Sequence, residues 1–117
     1  MLSLHEKNML QINFQVDIEA SPEQVWAILA SKEGMSQWFS RNLIFEFEEG
    51  GEFRMEVTMD EGHWIFYGEV RRIIPNEELA FTWTQQEVGG EAWPVSTLVR
   101  FQLTKIEGGT RVDLVHS

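Results

Sequence analysis

The chain has one helical stretch, at residues 21–39, in a sequence that otherwise has the pattern of β-strands. Ser21 can cap a helix that begins at Pro22, since proline has no N–H to leave unpaired, and Gln24 completes a capping box. A bend at Gly34 then separates a second short helix from the first. The apolar side of the two predicted helices carries Val25, Trp26, Leu29, Met35, Trp38 and Phe39. Any sheet formed by the rest of the chain must find its helical cover here.

Apolar and polar residues alternate through most of the remaining sequence. The alternation begins at residues 12–18, with the period of two that is typical of a strand with one solvated face. Further strands are predicted at 43–47, 53–59, 63–74, 79–84, 95–106 and 111–116, which makes seven. Short turns such as Gly50-Gly51 join them, so they form an antiparallel meander. Gly68 interrupts the longest strand and predicts a bulge or bend at that position.

Composition and charge exclude several functional classes. The 117 residues suffice for one domain but not for two. Nineteen acidic and nine basic residues give a formal charge of −10, which repels nucleic-acid phosphates and anionic membrane surfaces. No apolar run is long enough to span a bilayer and the first residues lack the pattern of a signal peptide, so a cytoplasmic location is expected. Because the sequence has no cysteine, it can form neither a disulfide nor a cysteine-ligated metal site.

Several phrases of the sequence occur in an order that resembles a known family. They are Ala20-Ser21-Pro22-Glu23-Gln24-Val25-Trp26, Trp38-Phe39, Gly50-Gly51-Glu52-Phe53-Arg54, Gly68-Glu69-Val70, Leu79-Ala80-Phe81-Thr82-Trp83 and the closing segment 108–117. With the order of one strand, two helices and a six-strand meander, they resemble the activator-of-Hsp90-ATPase-homologue-like branch of the START-like (SRPBCC, polyketide-cyclase/Bet v 1-type) superfamily. The resemblance covers residues 12–117, with residues 1–11 as a lead-in segment, and implies an α+β helix-grip fold with a curved antiparallel sheet.

One departure from the family pattern affects the inner face of the predicted sheet. Proteins of this kind usually continue past the last strand into a long C-terminal helix that lies in the curved sheet, whereas this sequence stops at Ser117. An uncovered inner face would exceed the roughly few hundred Å² of apolar patch that soluble monomers tolerate. A partner covers it, local side chains fill it, or the sequence is a fragment. A homodimer through the open faces, or through an edge strand such as the last one, is the simplest expected cover.

Aromatic side chains are the candidates for a ligand pocket, since apolar pockets use aromatic walls. The resemblance implies that Trp38 and Phe39, at the exit of the helix pair, and Trp93, in a loop with glycines and a proline, lie at the cavity mouth. Trp83 is a further candidate, although its place in a central strand favours core packing. These residue types also build hydrophobic cores, so both interpretations stay open.

Two polar side chains are candidates for contact with a ligand. On the predicted last strand, His116 shares a side with Val112 and Leu114, so its ring can face inward; a histidine at the core edge bonded to backbone is the simpler interpretation. Tyr67 could also supply a polar group, but it lies opposite the stronger apolar series, which favours surface exposure. The histidines lack metal-ligand spacing and there is no nucleotide-binding motif, so neither a metal nor a cofactor is expected.

These observations favour a non-enzymatic binding module for an apolar small molecule or lipid in the concavity of the sheet. The resemblance also implies a chaperone-associated or stress-response adaptor, with a chaperone or another protein as partner. The alternative is a cavity enzyme of the aromatase/cyclase or hydrolase type, in which His116 or Tyr67 is the acid or base. The sequence has no nucleophile elbow, so no catalytic residue is assigned.

Overall fold

The computed structural model describes residues 11–38, 42–59, 62–91 and 96–117, with the side chains of Trp38 and Met59 excepted. These residues form seven strands and two helices. In chain order they are β1 (Ile12–Ile18), α1 (Pro22–Leu29), α2 (Lys32–Trp38), β2 (Leu43–Phe45), β3 (Glu52–Met59), β4 (Gly62–Ile74), β5 (Glu78–Glu87), β6 (Thr97–Ile106) and β7 (Gly109–His116). Within the described ranges, neither helix is long and apolar enough to cross a membrane.

The strands form one antiparallel sheet in the order β1-β7-β6-β5-β4-β3-β2. Strands β2 to β7 are a meander, and β1 returns to the far side of β7, so the predicted α+β helix-grip fold is confirmed. The expectation that the last strand is an edge is wrong. Strand β7 lies between β1 and β6, and its pairing with β1 runs from Ile12 opposite His116 to Ile18 opposite Thr110. Among the strands that the structure describes, β1 and β2 lie at the edges of the sheet.

The long strand β4 departs from regular pairing with β5 close to Gly68, where a bulge or bend was predicted. The ladder passes from Tyr67 opposite Thr84 to Val70 opposite Phe81, with the Glu69 N–H bonded to Thr82 Oγ1 at 2.8 Å, and its register shifts between Val70 and Arg72. Gly68 also allows a close approach of β5, because a Cβ atom there would collide with the carbonyl oxygen of Thr82. The bulge falls where the β2–β3 turn meets β4: the Val70 backbone N–H donates to the Gly51 carbonyl at 2.9 Å. The sequence therefore located the curved part of the strand to within a few residues.

The strands turn their apolar residues to the face that the helices cover. The register places Val70 opposite Phe81 and Phe81 opposite Val99, so the alternation of neighbouring strands is in phase. The buried residues of this core are Leu29, Met35, Leu43, Phe45, Phe53, Met55, Phe66, Val70, Leu79, Phe81, Val99, Phe101, Leu103 and Val112. Met35 from α2 is fully buried and Leu29 from α1 nearly so, and each anchors its helix to the sheet.

The start of α1 has the local structure that its sequence predicts. Ser21 Oγ accepts a hydrogen bond from the Gln24 backbone N–H at 3.2 Å, and the Ser21 backbone N–H donates to Gln24 Oε1 at 2.9 Å. The bend after α1 is held by Ser31, whose hydroxyl donates to the Ala27 carbonyl at 2.7 Å and accepts from the Gly34 N–H at 3.0 Å. A side chain at Gly34 would collide with the Ile28 carbonyl oxygen. The capping box and the two-helix arrangement are thus confirmed, but the predicted position of the bend is wrong, because the second helix begins at Lys32 and Gly34 lies inside it.

A buried hydroxyl group fixes the entry of α1 relative to the sheet. Thr110, in β7, is fully buried, and its Oγ1 donates to the carbonyl oxygen of Ala20 at 2.7 Å. Ala20 belongs to the short connection between β1 and α1. This bond ties the two ends of the chain together, because it joins residues that are 90 positions apart.

Thr110→Val should lower the free energy of unfolding by about 1–3 kcal/mol, because valine keeps the shape of threonine but leaves the Ala20 carbonyl without its donor. Thr104→Val is the matched control, since Thr104 is an exposed threonine of β6. Chemical denaturation of the two variants and of the unaltered chain measures the difference. Equal stability of the Thr110→Val variant and the unaltered chain would show that the bond contributes nothing.

Candidate ligand-binding site

A cavity of about 460 Å³ lies between α1 and the sheet. The sheet contributes residues from β1, β6 and β7, and α1 contributes successive turns of its inner side. The lining residues are Ile18, Ala20, Gln24, Val25, Ile28, Leu29, Phe101 and Val112. The volume is within the range of about 300–1,000 Å³ that is usual for small-molecule sites.

The lining of this cavity is almost entirely apolar, and two of its polar oxygen atoms are already engaged. Gln24 Oε1 accepts from the Ser21 backbone N–H, and the Ala20 carbonyl accepts from the Thr110 hydroxyl. None of the lining residues has a titratable side chain. A charged ligand would lose its hydration here without gaining a partner of opposite charge, so the cavity is suited to a neutral apolar ligand.

The rim of the cavity exposes large aliphatic side chains. Ile28, on α1, is 54% exposed, and Ile18, at the end of β1, is 39% exposed. Both residues line the cavity as well. Exposed isoleucines at the mouth of an apolar cavity give a ligand a continuous apolar path from solvent to the interior.

A cluster of aromatic side chains packs on the same inner face of the sheet, on the side away from this cavity. Phe53 and Phe81 are its fully buried centre, with ring centroids 4.9 Å apart. Trp83 stacks on Phe53 at 5.5 Å and lies 5.0 Å from Phe66. The remaining members are Phe45, Phe47 and Phe101. These side chains pack against one another on the inner face, and Trp83 belongs to their cluster; its contact with a ligand remains a prediction.

His116 lies on the inner face, as its alternation predicted, and it contacts Trp83 edge-on with ring centroids 5.6 Å apart. Its Nε2 is 2.7 Å from Thr97 Oγ1. Because the Thr97 hydroxyl also lies in position to donate to the Trp83 carbonyl, at 3.2 Å, the arrangement favours a proton on Nε2 and leaves Nδ1 without a described partner. Burial lowers the pKa of His116 from its ordinary value of 6.5, since burial disfavours the charged ring.

His116 is not part of the cavity under α1. Val112, which lines that cavity, precedes His116 by four residues on β7, a separation of about 13 Å along the strand. Tyr67 is farther from both, because it pairs with Arg54 and Thr84 on the opposite face of the sheet from Trp83. The structure thus brings Trp83 and His116 together and separates Tyr67 from them.

The other predicted pocket residues are not tested by the described structure. Trp38 is the last residue of α2, and its side chain lies outside the described part of the chain. Phe39 and Trp93 also lie outside the described residues. Their contact with a ligand remains a prediction.

The cavity residues were missed because aliphatic side chains look the same in a core and in a pocket wall. One signal was present: Val25, Ile28 and Leu29 have the spacing i, i+3, i+4 that places three residues on one side of a helix. The predicted apolar side of α1 contained Val25 and Leu29 but not Ile28. An isoleucine that belongs to the apolar side of a helix and yet stays exposed marks the edge of an incompletely filled interface.

The sequence matches one protein family over most of its length. Residues 19–117 match the family described as activator of Hsp90 ATPase homolog 1-like protein. The chain belongs to this family. The resemblance predicted from the sequence is therefore confirmed, and the family lies within a superfamily that includes ligand-binding and cyclase-like members. No curated protein matches the chain by sequence.

Solved structures place this Hsp90-activator-like chain among proteins of the same fold. An uncharacterized protein from Rhizobium leguminosarum superposes with a TM-score of 0.81 at 18% identity, over 91% of this chain and 74% of that one. The Aha1 dimer of Colwellia psychrerythraea gives 0.69 at 26% identity, over 93% and 76% of the two chains. DynU16, from the dynemicin biosynthetic locus, gives 0.73 at 23% identity, over 92% and 37%. The first and third similarities show a shared fold alone.

The lowered pKa of His116 predicts a loss of stability in mild acid. Above 6.5 the ring is neutral in both the folded and the unfolded chain; below 6.5 the unfolded chain takes up the proton first, so the free energy of unfolding falls until the pH passes the folded pKa. Denaturation between about pH 8 and pH 5 should therefore show a steeper acid loss for the unaltered chain than for His116→Gln, which keeps an amide donor for Thr97. Parallel pH profiles would contradict the burial of a neutral imidazole.

Proposed function

We propose that this domain binds a neutral apolar small molecule, such as a lipid chain or a hydrophobic ring compound, in the cavity between α1 and the sheet. The observation that carries the proposal is the cavity of about 460 Å³ whose lining has no titratable side chain. Gln24 Oε1 is engaged in the cap of α1, and the Ala20 carbonyl accepts the bond from Thr110. Apolar burial is then the main source of affinity, at about 25 cal/mol per Å² of apolar surface removed from water.

Binding without chemistry is favoured over a cavity enzyme by the position of the titratable groups. General acid–base catalysis needs a group within about 3 Å of the proton it moves, or one water away. His116 lies about 13 Å along β7 from the cavity residue Val112, and Tyr67 lies on the opposite face of the sheet. Neither predicted acid–base residue lines the cavity, and this favours binding without chemistry for a ligand seated under α1.

A charge placed on the rim should weaken ligand binding without unfolding the domain. Ile28→Asp puts a carboxylate at the mouth of the cavity on a side chain that is already 54% exposed. We expect an affinity loss of about tenfold or more, because the entering ligand would strip water from that carboxylate. The measurement is the ligand-dependent rise in melting temperature, since a ligand that binds only the folded state stabilises it by mass action. A panel of fatty acids, alkanols and polycyclic aromatic compounds supplies the probes.

Ile44→Asp is the matched control. Ile44 is also an isoleucine, is 45% exposed, and lies on β2 at the opposite edge of the sheet. It should retain the full ligand-dependent rise. If no compound of the panel raises the melting temperature of the unaltered chain, or if both variants lose the effect equally, the cavity under α1 is not a ligand site.

A second candidate function is association with a chaperone as an adaptor. The description of the family, an activator of Hsp90 ATPase homolog, supports it, as does the 26% identity with the Colwellia psychrerythraea Aha1. The test is the ATPase rate of a purified Hsp90 with and without the full chain. A change in rate that saturates with added chain supports this function, and a constant rate excludes it for that chaperone.

Self-association is the third element of the proposal. The solved Aha1 of Colwellia psychrerythraea is a dimer, and the present chain exposes the apolar residues Ile12, Phe14, Val16 and Ile18 along β1. Two copies that meet at this surface would remove part of it from water. Light scattering after size exclusion measures the mass directly.

A further inference from the structure

We propose that two copies of this chain associate by antiparallel pairing of their β1 strands, with the two-fold axis at Gln15. The pairing joins two seven-stranded sheets into one continuous sheet. The inference names the surface for the self-association proposed above and rests on it, but it is independent of any ligand under α1.

Strand β1 is an edge strand of unusual length and exposure. It is the first strand in the order of the sheet, and β7 is its neighbour on the other side. Its apolar residues Ile12, Phe14, Val16 and Ile18 are 63%, 61%, 40% and 39% exposed. The opposite edge, β2, has three residues, of which Leu43 and Phe45 are buried. Short edge strands resist pairing with another chain, whereas a regular edge of seven residues is a template for it.

The hydrogen-bond pattern determines which backbone groups β1 presents at its free edge. Ser117 and Leu98 exchange both backbone hydrogen bonds, each at 2.9 Å, so the odd-numbered residues of β7 bond to β6. Its even-numbered residues then bond to β1, which makes Phe14 with Leu114 and Val16 with Val112 hydrogen-bonded pairs. The N–H and C=O groups of Asn13, Gln15 and Asp17 consequently point away from β7, toward the free edge.

A two-fold axis at Gln15 makes this edge complementary to itself. Gln15 is the middle residue of Ile12–Ile18, so this register pairs every residue of the strand with its partner's strand. It sets Phe14 opposite Val16 and Ile12 opposite Ile18 on the inner face. On the outer face it sets Asn13 opposite Asp17 and Gln15 opposite its own copy. Apolar side chains thus meet apolar ones and no like charges are opposed, which is the arrangement that stabilises cross-strand pairs.

The strand lacks the features that usually block such pairing. Its sequence, INFQVDI, contains no lysine and no proline, and its register with β7 has no bulge. Its one charge, Asp17, is held by Arg111 within the same chain, with Nε to Oδ1 at 2.9 Å and Nη2 to Oδ2 at 3.2 Å. This pair also lowers the pKa of Asp17, mainly through the hydrogen bond from Arg111. The net charge of −10 on each copy opposes association, and added salt should therefore strengthen the dimer.

A proline at Gln15 tests the surface. The Gln15 N–H makes no bond to β7 in the pattern above, so proline can occupy this edge position without removing a bond of the monomer. It does remove the donor at the centre of the proposed pairing. Gln15→Ala is the matched control, because it removes the side-chain bond to Asp113 Oδ1 at 2.6 Å and keeps the N–H. Light scattering should give a dimer for the unaltered chain and for Gln15→Ala, and a dissociation constant about tenfold or more higher for Gln15→Pro.

Single cysteines test the register whatever the proline does to the fold. The chain has no cysteine of its own, so each introduced thiol is unique. In the proposed dimer the Gln15→Cys positions are about 5.5 Å apart between Cα atoms. Two Asn13→Cys positions, or two Asp17→Cys positions, are offset by about 13 Å along the strand. A short bismaleimide should therefore link Gln15→Cys efficiently, link either other variant poorly, and link a mixture of Asn13→Cys with Asp17→Cys.

The outcomes separate this surface from self-association in general. A monomer of the unaltered chain at all micromolar concentrations overturns both. A dimer that Gln15→Pro leaves intact, while the variant keeps its melting transition, overturns the β1 surface and leaves self-association standing. Equal cross-linking of the three single-cysteine variants overturns the register. None of these results depends on whether the cavity under α1 binds a ligand.

Discussion

The structure depends on one constraint: a seven-stranded sheet turns its apolar residues to a single face, and two short helices must cover it. Neighbouring strands are about 4.8 Å apart, so the sheet is about 29 Å wide, whereas the eight residues of α1 extend about 12 Å. Helix α1 alone therefore covers only part of the inner face. Between β2 and β6 the rings of Phe45, Phe53, Phe81 and Trp83 pack against one another on this face. Toward β1 and β7 the side chains are smaller, and there the cavity and the exposed apolar row remain.

The fold could be predicted because its determinants are local in the sequence. The alternation in residues 12–18 and in the later strands, and the cap made by Ser21 and Gln24, require no knowledge of distant contacts. The wrong prediction about the last strand concerns a tertiary relation. Whether β7 is an edge depends on where β1 returns, and the register shift after Val70 depends on how the β2–β3 turn meets β4. Alternation along one strand specifies neither. It shows which side chains share a face of the sheet, but not which strand lies beside it.

Less of the candidate site could be predicted from the sequence, because its shape is set by contacts between distant residues. The bond from Thr110 to Ala20 spans 90 positions and sets where α1 leaves the sheet. That placement decides whether Val25 and Ile28 close on Phe101 and Val112 or leave a space between them. Sequence reasoning correctly placed His116 on the inner face, because strand alternation is local. It named Trp83 as a pocket candidate while favouring core packing, and in the described structure Trp83 packs in the aromatic cluster.

Ile18 links the cavity to the free edge of the sheet. It lines the cavity under α1, and it is also the last residue of β1, opposite Thr110 of β7. In the proposed dimer the same side chain lies opposite Ile12 of the second copy. A ligand in the cavity would restrict the rotamers of Ile18. A second copy packed against β1 would restrict the rotamers of the same side chain. If ligand binding changes the dimer dissociation constant, linkage requires dimerisation to change the ligand affinity by the same total factor. If ligand binding leaves the dimer dissociation constant unchanged, the cavity and the edge strand are not coupled through Ile18. The side chain of Ile18 would then already be fixed by its neighbours on β7 and α1.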